Sequence, residues 1–547
     1  MNSPTPDADA PVPAADLDAV ELEIFKHLFA SIAEEMGVRL MRSAYSPNIK
    51  ERRDFSCALF DAQGDMIAQA AHIPVHLGSA PLSVKAVLHA FPPATMRAGE
   101  RFIVNDPFAG GTHLPDITVI APCFVPGFDA PLFFSANRAH HADVGGITPG
   151  SLPISRHIDE EGVRIPPSRL TDALMEEICQ QTRTPDERRG DLLAQCAAVD
   201  IGLDRLGQLV THHGPRRLAA CGAALQQYTA RFVRQVIADL PDGVYRFEDV
   251  LDDDGHGQTD IAIRCTLTID GDHACVDLRD SDDQVAGPVN AVRAIALSAV
   301  MYVFRCLAPA EIPSNSGVLL PVEVLTRPGS VVDAQYPSPV AGGNVETSQR
   351  IVDVLFGAVA QALPDRAPAA SCGSMNNLTL GGLDTRGEPH DPPPFAYYET
   401  LAGGAGAGPG AAGGSAIHTH MTNTRNTPVE ALEHSYPFRV EVYRIRSGSG
   451  GAGLHRGGDG VVRRYVFQTA VQVTLLTERR RRAPYGLAGG EPGAPGRNVL
   501  ITADGGRREL PGKCTIELSA SDALEIHTPG GGGWGAGVPL VACPPVR

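Results

Sequence analysis

The chain has 547 residues, 43% hydrophobic and 20% charged, which points to a folded protein of two to four packed lobes rather than a disordered or fibrous one. Its net charge of −17 argues against a nucleic-acid partner, because such partners need a basic surface that displaces counterions. The 11 cysteines, scattered and without a Cys-x-x-Cys pair, argue against a disulfide framework or a cysteine zinc site and fit a reducing cytoplasm.

Residues 1–15, rich in Pro, Ala and Asp, read as a disordered tail and lack the basic-then-apolar order of a signal peptide. No apolar run reaches the roughly 18 residues that a membrane span requires. From Asp16 to Tyr45 the chain reads as a helix: Val20, Ile24, Leu28 and Ile32 recur at spacing four, and Phe25, Phe29, Met36 and Leu40 widen the stripe. A hairpin follows, with Cys57–Phe60 and Met66–Gln69 flanking the turn Asp61–Gly64. These open a metal-site α+β domain expected over 16–235. Residues 244–280 alternate as strands, and buried helices are expected at Val292–Leu307 and Thr347–Ala362. They belong to a central α+β domain over 236–434 that also carries a Gly-rich loop. Short strands and Gly-rich turns dominate a β-rich domain over 435–547. The class is α+β, a multi-lobed mixed helix and sheet N-terminal part with a β-rich C-terminal region. The arginine run 479–482 reads as a solvated or interface-facing loop.

The stretch Phe102–Gly150 carries the chemistry. A short strand, Phe102–Val104, ends in Asn105-Asp106-Pro107, and a Gly-rich turn delivers Thr112-His113-Leu114-Pro115-Asp116. Two apolar strands, Ile117–Phe124 and Leu132–Asn137, flank a turn at Gly127 and Phe128, and the second runs into Arg138-Ala139-His140-His141-Ala142-Asp143. As an antiparallel hairpin they set Asp116 opposite Ala139 or His140, at the open end beside His113. Two imidazoles and a carboxylate converging there suit a divalent cation such as zinc, iron or manganese, with an open position for water. A water on such a cation has its pKa lowered towards about 7. His140 and His141 cannot both face the site, since neighbours on a strand alternate sides. Asp106 and Asp143 are near enough to be further ligands, orienting groups or a general base.

Other candidates are weaker. His72 and His76 have the spacing of a helical zinc pair, but Pro74 opposes a helix, and they are taken as pocket candidates. His418-Thr-His420, with Asn423, Arg425 and Asn426, is a polar run able to line a substrate pocket. Gly403–Gly414 imitates a dinucleotide loop, but Pro409 and Gly410 spoil the helix that must follow. There is no Gly-x-x-x-x-Gly-Lys-Ser/Thr loop and no Gly-x-Ser-x-Gly elbow.

Several segments resemble the hydantoinase B and oxoprolinase B family, which includes N-methylhydantoinase B and the α-type subunits of acetone and acetophenone carboxylases. They are 46–56, 105–116, 139–146, 312–317, 341–347 and 423–430, so the likeness covers about residues 16–535. The resemblance implies one metal held by His113, Asp116 and His140, and His141, where relatives often carry an aromatic residue, supports His140 as the ligand. It implies a hydantoinase A-like partner subunit that binds ATP and magnesium and phosphorylates the substrate, in an (αβ)2 hetero-oligomer. The expected activity is ATP-dependent hydrolysis of a small cyclic amide such as a hydantoin or 5-oxoproline, with hydroxide on the metal attacking the activated ring. Asp143 or Asp106 would take the water proton and Arg138 would hold an anion, while His72, His76, His141, His418 and Asn423 would line the substrate pocket. The rival within the family is a metal-containing component of a ketone carboxylase. A rival of another class is a non-catalytic scaffold for the ATP-binding partner.

Overall fold

A computed structural model describes residues 18–70, 72–387 and 390–537; the expected tail at 1–15 lies outside the described residues. The first helix runs Ala19–Ser43, and Asp18 caps it by accepting the Glu21 N–H at 2.7 Å. Its buried stripe is Phe25, Phe29, Ile32, Met36 and Leu40, whereas Val20 and Ile24 are 70% and 52% exposed. The spacing-four reading centres the stripe on the wrong side at its N-terminal end, because the two aromatics outweigh the aliphatics beside them.

That helix and a 29-residue helix, Pro185–His213, cover one face of a six-stranded sheet. Its strands are β1 (Phe55–Asp61), β2 (Met66–Gln69), β3 (Phe102–Val104), β4 (Asp116–Cys123), β5 (Phe133–His140) and β6 (Ser168–Arg169), in the spatial order β2-β1-β5-β4-β3-β6. Alternation divides β1 cleanly: Phe55, Cys57 and Leu59 face the helices, while Ala58 and Phe60 join the larger core shared with the middle of the chain. In that core lie a four-stranded sheet spanning 243–325 and the helices Arg293–Leu307 and Ser348–Ala362.

Two further sheets, of four and five strands, share a third core. Asn377–Leu383 pairs with Val471–Leu476 along six positions, so one sheet crosses the domain boundary expected at residue 434. Long-range pairing leaves no local pattern at such a boundary. The C-terminal part is β-rich and the class α+β, as expected.

Beside these sheets the Gly-rich loops interlock through main-chain hydrogen bonds. Ala405 N–H donates to Gly414 O, Gly458 N–H to Ala405 O and Gly531 N–H to Gly458 O, each at 2.9 Å. A Cβ at Gly404 would lie 1.9 Å from Gly458 O, and one at Gly531 would lie 2.0 Å from Ala405 O. The 403–414 loop is therefore a structural partner of 448–460 and 530–533. Among the described residues no helix is long and apolar enough to cross a membrane, and every cysteine is a free thiol.

The arginine run is only half solvated: Arg481 and Arg482 are exposed, with side chains 50% and 55% accessible, while Arg479 and Arg480 turn inward. Arg479 is 1% exposed and donates to Asp249 and Asp353 at 2.6 and 2.8 Å, while Arg480 reaches Asn376 at 2.7 Å. Four adjacent cations are read as surface by default, which holds for the last two, but carboxylates from two distant segments compensate Arg479.

Candidate metal centre

In the β4–β5 hairpin Asp116 pairs with His140, Thr118 with Arg138 and Ile120 with Ala136. Directly opposed residues share a face, so the aspartate and the imidazole project together at the mouth. His113 arrives from the preceding turn, whose carbonyl accepts the Asp116 N–H at 3.1 Å. That turn demands glycine: a Cβ at Gly111 would lie 2.3 Å from the Asn105 carbonyl oxygen.

Asp116 Oδ1 lies 3.1 Å from His113 Nε2 and 3.2 Å from His140 Nδ1. All three side chains are buried, and one ligand atom from each lies within 4.8 Å of the others. Oδ1 nevertheless makes no hydrogen bond. A buried carboxylate oxygen facing two ring nitrogens without sharing a proton is the arrangement expected where a cation completes the site, so the donor set fits one. Among the described residues no other group of three His, Cys, Asp or Glu converges in this way.

The second oxygen is fully engaged. Oδ2 accepts from Thr112 Oγ1 at 2.9 Å and from Asn344 Nδ2 at 3.3 Å, and His76 Nε2 lies 3.3 Å away. Asn344 Nδ2 is also 3.0 Å from His113 Nε2. His76 is held in turn by Ser56 Oγ, 2.8 Å from its Nδ1. Burial opposes the charge on Asp116, yet the neighbouring His113 and His76 hold its carboxyl well below the usual range. Burial also lowers the pKa of His140, whose ring stacks on Tyr398 at 4.5 Å and 24°.

Asn344 reaches the cluster from a π-helical turn, Gly343–Thr347, that opens the helix Ser348–Ala362. Such turns are rare and are frequent at functional sites. The same turn carries Glu346, which accepts from Asn377 Nδ2 at 2.6 Å; Asn377 Oδ1 takes the Tyr398 hydroxyl at 3.0 Å. One turn thus touches both sides of the cluster. The cavity beside it, lined by Asp54, His76, Asn344 and Tyr398 among others, is about 20 Å³, room for about one water.

The remaining expected residues divide. His76 joins the cluster, though the Pro74–His76 turn sends His72 elsewhere. His72 and Asn423 line a separate outer cavity. Arg138 faces the cluster side but spends its guanidinium on Thr118, Ser79 and Ser83 at 2.9, 2.6 and 2.7 Å, and burial pushes its pKa down to about 10. His141 turns to the opposite face and meets Gln195 at 2.9 Å, which places it outside the pocket by strand alternation. Asp143 is committed to Arg183, through the guanidinium at 2.7 Å and the backbone N–H at 3.0 Å. Asp106 caps its own turn and pairs with Arg164 at 2.9 Å. Both carboxylates are thus paired with arginines, and neither lines the cavity beside the cluster. His418 is pushed down to about 4 by burial and lines neither cavity, while His420 meets Asp353 at 3.3 Å.

Sequence reasoning missed Asn344, Thr112 and Tyr398 as neighbours of the cluster. Asn344 is 228 residues from Asp116, and its only local signal is its place in the Ala341–Thr347 segment.

A profile described as Hydantoinase B/oxoprolinase matches residues 18–537. The 5-oxoprolinase 1 of Arabidopsis thaliana is 40% identical over 95% of this chain and 42% of its own length. The chain thus spans about two fifths of that relative. A candidate B-type subunit of a D-/L-hydantoinase from Pseudomonas sp. (strain NS671) is 28% identical over 95% of this chain and 90% of its own. The crystal structure of the ATP-dependent caprolactamase from Pseudomonas jessenii superposes with a TM-score of 0.88 at 27% identity, covering 95% of this chain and 92% of the other.

Proposed function

The chain belongs to the hydantoinase B/oxoprolinase family, and from that premise we propose that it is the metal-site subunit of an ATP-dependent hydrolase opening small cyclic amides. The observation that carries this reading is the convergence of His113, Asp116 and His140 around an oxygen that makes no hydrogen bond. A divalent cation held by these three side chains would polarise an amide carbonyl and make a water acidic enough to react at neutral pH.

The protein's own groups prepare that site. Thr112 and Asn344 fix Asp116 Oδ2, which leaves Oδ1 aimed at the two ring nitrogens. Tyr398 sets the plane of His140 by stacking, and Ser56 orients His76 against Asp116. Such supporting contacts are worth about 10–100-fold in metal affinity. The small cavity keeps bulk water out, which strengthens each electrostatic contact within.

An unstrained amide is a poor electrophile, so its activation falls to a partner that binds ATP and phosphorylates the ring; the two form a hetero-oligomer. Support comes from the relatives, one of them named as a component of a multi-subunit hydantoinase and another as an ATP-dependent caprolactamase. The test combines elemental analysis with assays of the reconstituted pair on hydantoin, 5-oxoproline and caprolactam. Near-stoichiometric metal and bicarbonate-independent, ATP-dependent ring opening are expected, both lost in His113→Ala. A metal-free wild type, or ring opening that survives His113→Ala, would overturn the proposal.

A further inference from the structure

A second cavity, of about 300 Å³, lies against the outer side of the walls that enclose the cluster. Three pairs of consecutive residues divide between the two spaces: Asp54 and Phe55, His72 and Ile73, Thr422 and Asn423. Neighbours on extended backbone face opposite ways, so the partition there is one backbone thick. Hydrogen bonds stitch it together, from His140 N–H to Asp54 O at 3.0 Å, Asn423 Nδ2 to His72 O at 3.0 Å and Arg425 N–H to Arg52 O at 2.9 Å.

The two cavities differ in size and charge. The inner one holds about one water, whereas the outer one has the volume of a small-molecule site. Its described lining sets Arg53 and Arg425 against one acidic side chain, Glu34. Among the described residues neither guanidinium makes an ion pair, although most arginines around the cluster do. Arg53 takes a left-handed backbone, φ +56°, and this breaks the local alternation. Arg52 therefore turns inward, 4.6 Å from the Tyr398 ring, and Arg53 turns to the outer cavity. A non-glycine residue held in that region is a recurring mark of ligand sites.

His72 completes the lining as a neutral donor. Its Nδ1 accepts the Cys57 N–H at 3.2 Å, so the ring hydrogen is on Nε2, and burial pushes its pKa down to about 4. The Cε1–Nε2 edge of the ring closes on Gly37, where a Cβ would come within 2.6 Å of it.

We propose that this outer cavity is an anion-docking vestibule for small ring compounds that carry a phosphoryl or carboxylate group, set one backbone layer from the cluster. The proposal rests on the reading of that cluster as an amide-opening site. Each unpaired guanidinium carries the planar fork of donors that recognises such oxyanions, and an uncharged imidazole N–H adds a donor without a competing charge.

Calorimetric titration of the metal-free chain with inorganic phosphate, 5-oxoproline and uncharged 2-pyrrolidone tests this directly. At least one anion is expected to bind the wild type, with affinity falling about tenfold or more in Arg53→Gln/Arg425→Gln and largely kept in Arg53→Lys/Arg425→Lys. Binding of phosphate alone identifies the activated phosphoryl group as the docked feature; binding of 5-oxoproline alone identifies the substrate's own carboxylate. Absence of anion binding, equal affinity in the glutamine variant, or equal binding of 2-pyrrolidone overturns it. A chain that takes up no metal yet binds anions through these arginines sinks only the reading of the cluster. Metal uptake with arginine-independent binding sinks only the vestibule.

Discussion

The two oxygens of Asp116 keep different company, and that asymmetry can be tested one atom at a time. Oδ2 is saturated by Thr112, Asn344 and His76, while Oδ1 has only two ring nitrogens before it. Thr112→Val keeps the side-chain shape and removes the 2.9 Å donor, so metal affinity should fall by about tenfold, read by competition with a chelator. Unchanged affinity would show that Oδ2 needs no such restraint. Much of this centre is legible in the sequence because His113, Asp116 and His140 lie within one hairpin, where turn position and alternation fix the register. Asn344 and Tyr398 are not legible: no local period connects a π-turn or a strand more than 200 residues away with an imidazole.

Among the elements, the first helix and the start of the π-turn carry the sharpest expectations. Phe29 is fully buried and Ile24 is 52% exposed, though both belong to the apolar pattern read from the sequence. Phe29→Ala should cost about 3–5 kcal/mol in urea unfolding, and Ile24→Ala well under about 1 kcal/mol. Equal costs would move the buried stripe back to the aliphatic side. At the π-turn, Glu161 accepts the Val340 and Ala341 N–H groups at 2.9 and 3.0 Å, holding the backbone that leads to Asn344. Burial, against these bonds and that from Ser155, pushes its pKa from 4.5 up to about 8. The folded state therefore retains a proton that the unfolded chain releases near pH 4.5. Its contribution is complete below that pH and declines, by up to about 1.4 kcal/mol per pH unit, as pH rises towards 8. Glu161→Gln should flatten this decline, so thermal melts of the two proteins converge in acid and separate above pH 8.

At the scale of the molecule, the buried arginines tie the central sheet, the helix Ser348–Ala362 and the C-terminal strands into one ionic network. Arg479→Met takes from Asp353 its arginine and from Asp249 one of two, and should cost about 3–5 kcal/mol, whereas Arg482→Gln, at a half-exposed side chain, should leave the denaturation midpoint in place. Equal tolerance of both changes would mean that the network contributes no stability. The sequence misleads in this part of the fold because the carboxylates that bury Arg479 are 126 and 230 residues away. The sheet assembled from both sides of residue 434 is hidden from the sequence for the same reason. The interlocked Gly-rich loops set a different limit, on how this protein can recover from damage. A faulty side chain in an ordinary core can be rescued by trimming its neighbour, since both surfaces are adjustable. At Gly404 the opposing surface is the carbonyl of Gly458, 1.9 Å from any added carbon, and a main chain cannot be trimmed. A library of second-site changes built on Gly404→Ala should therefore contain true revertants and no suppressors, which leaves this knot closed to compensated change.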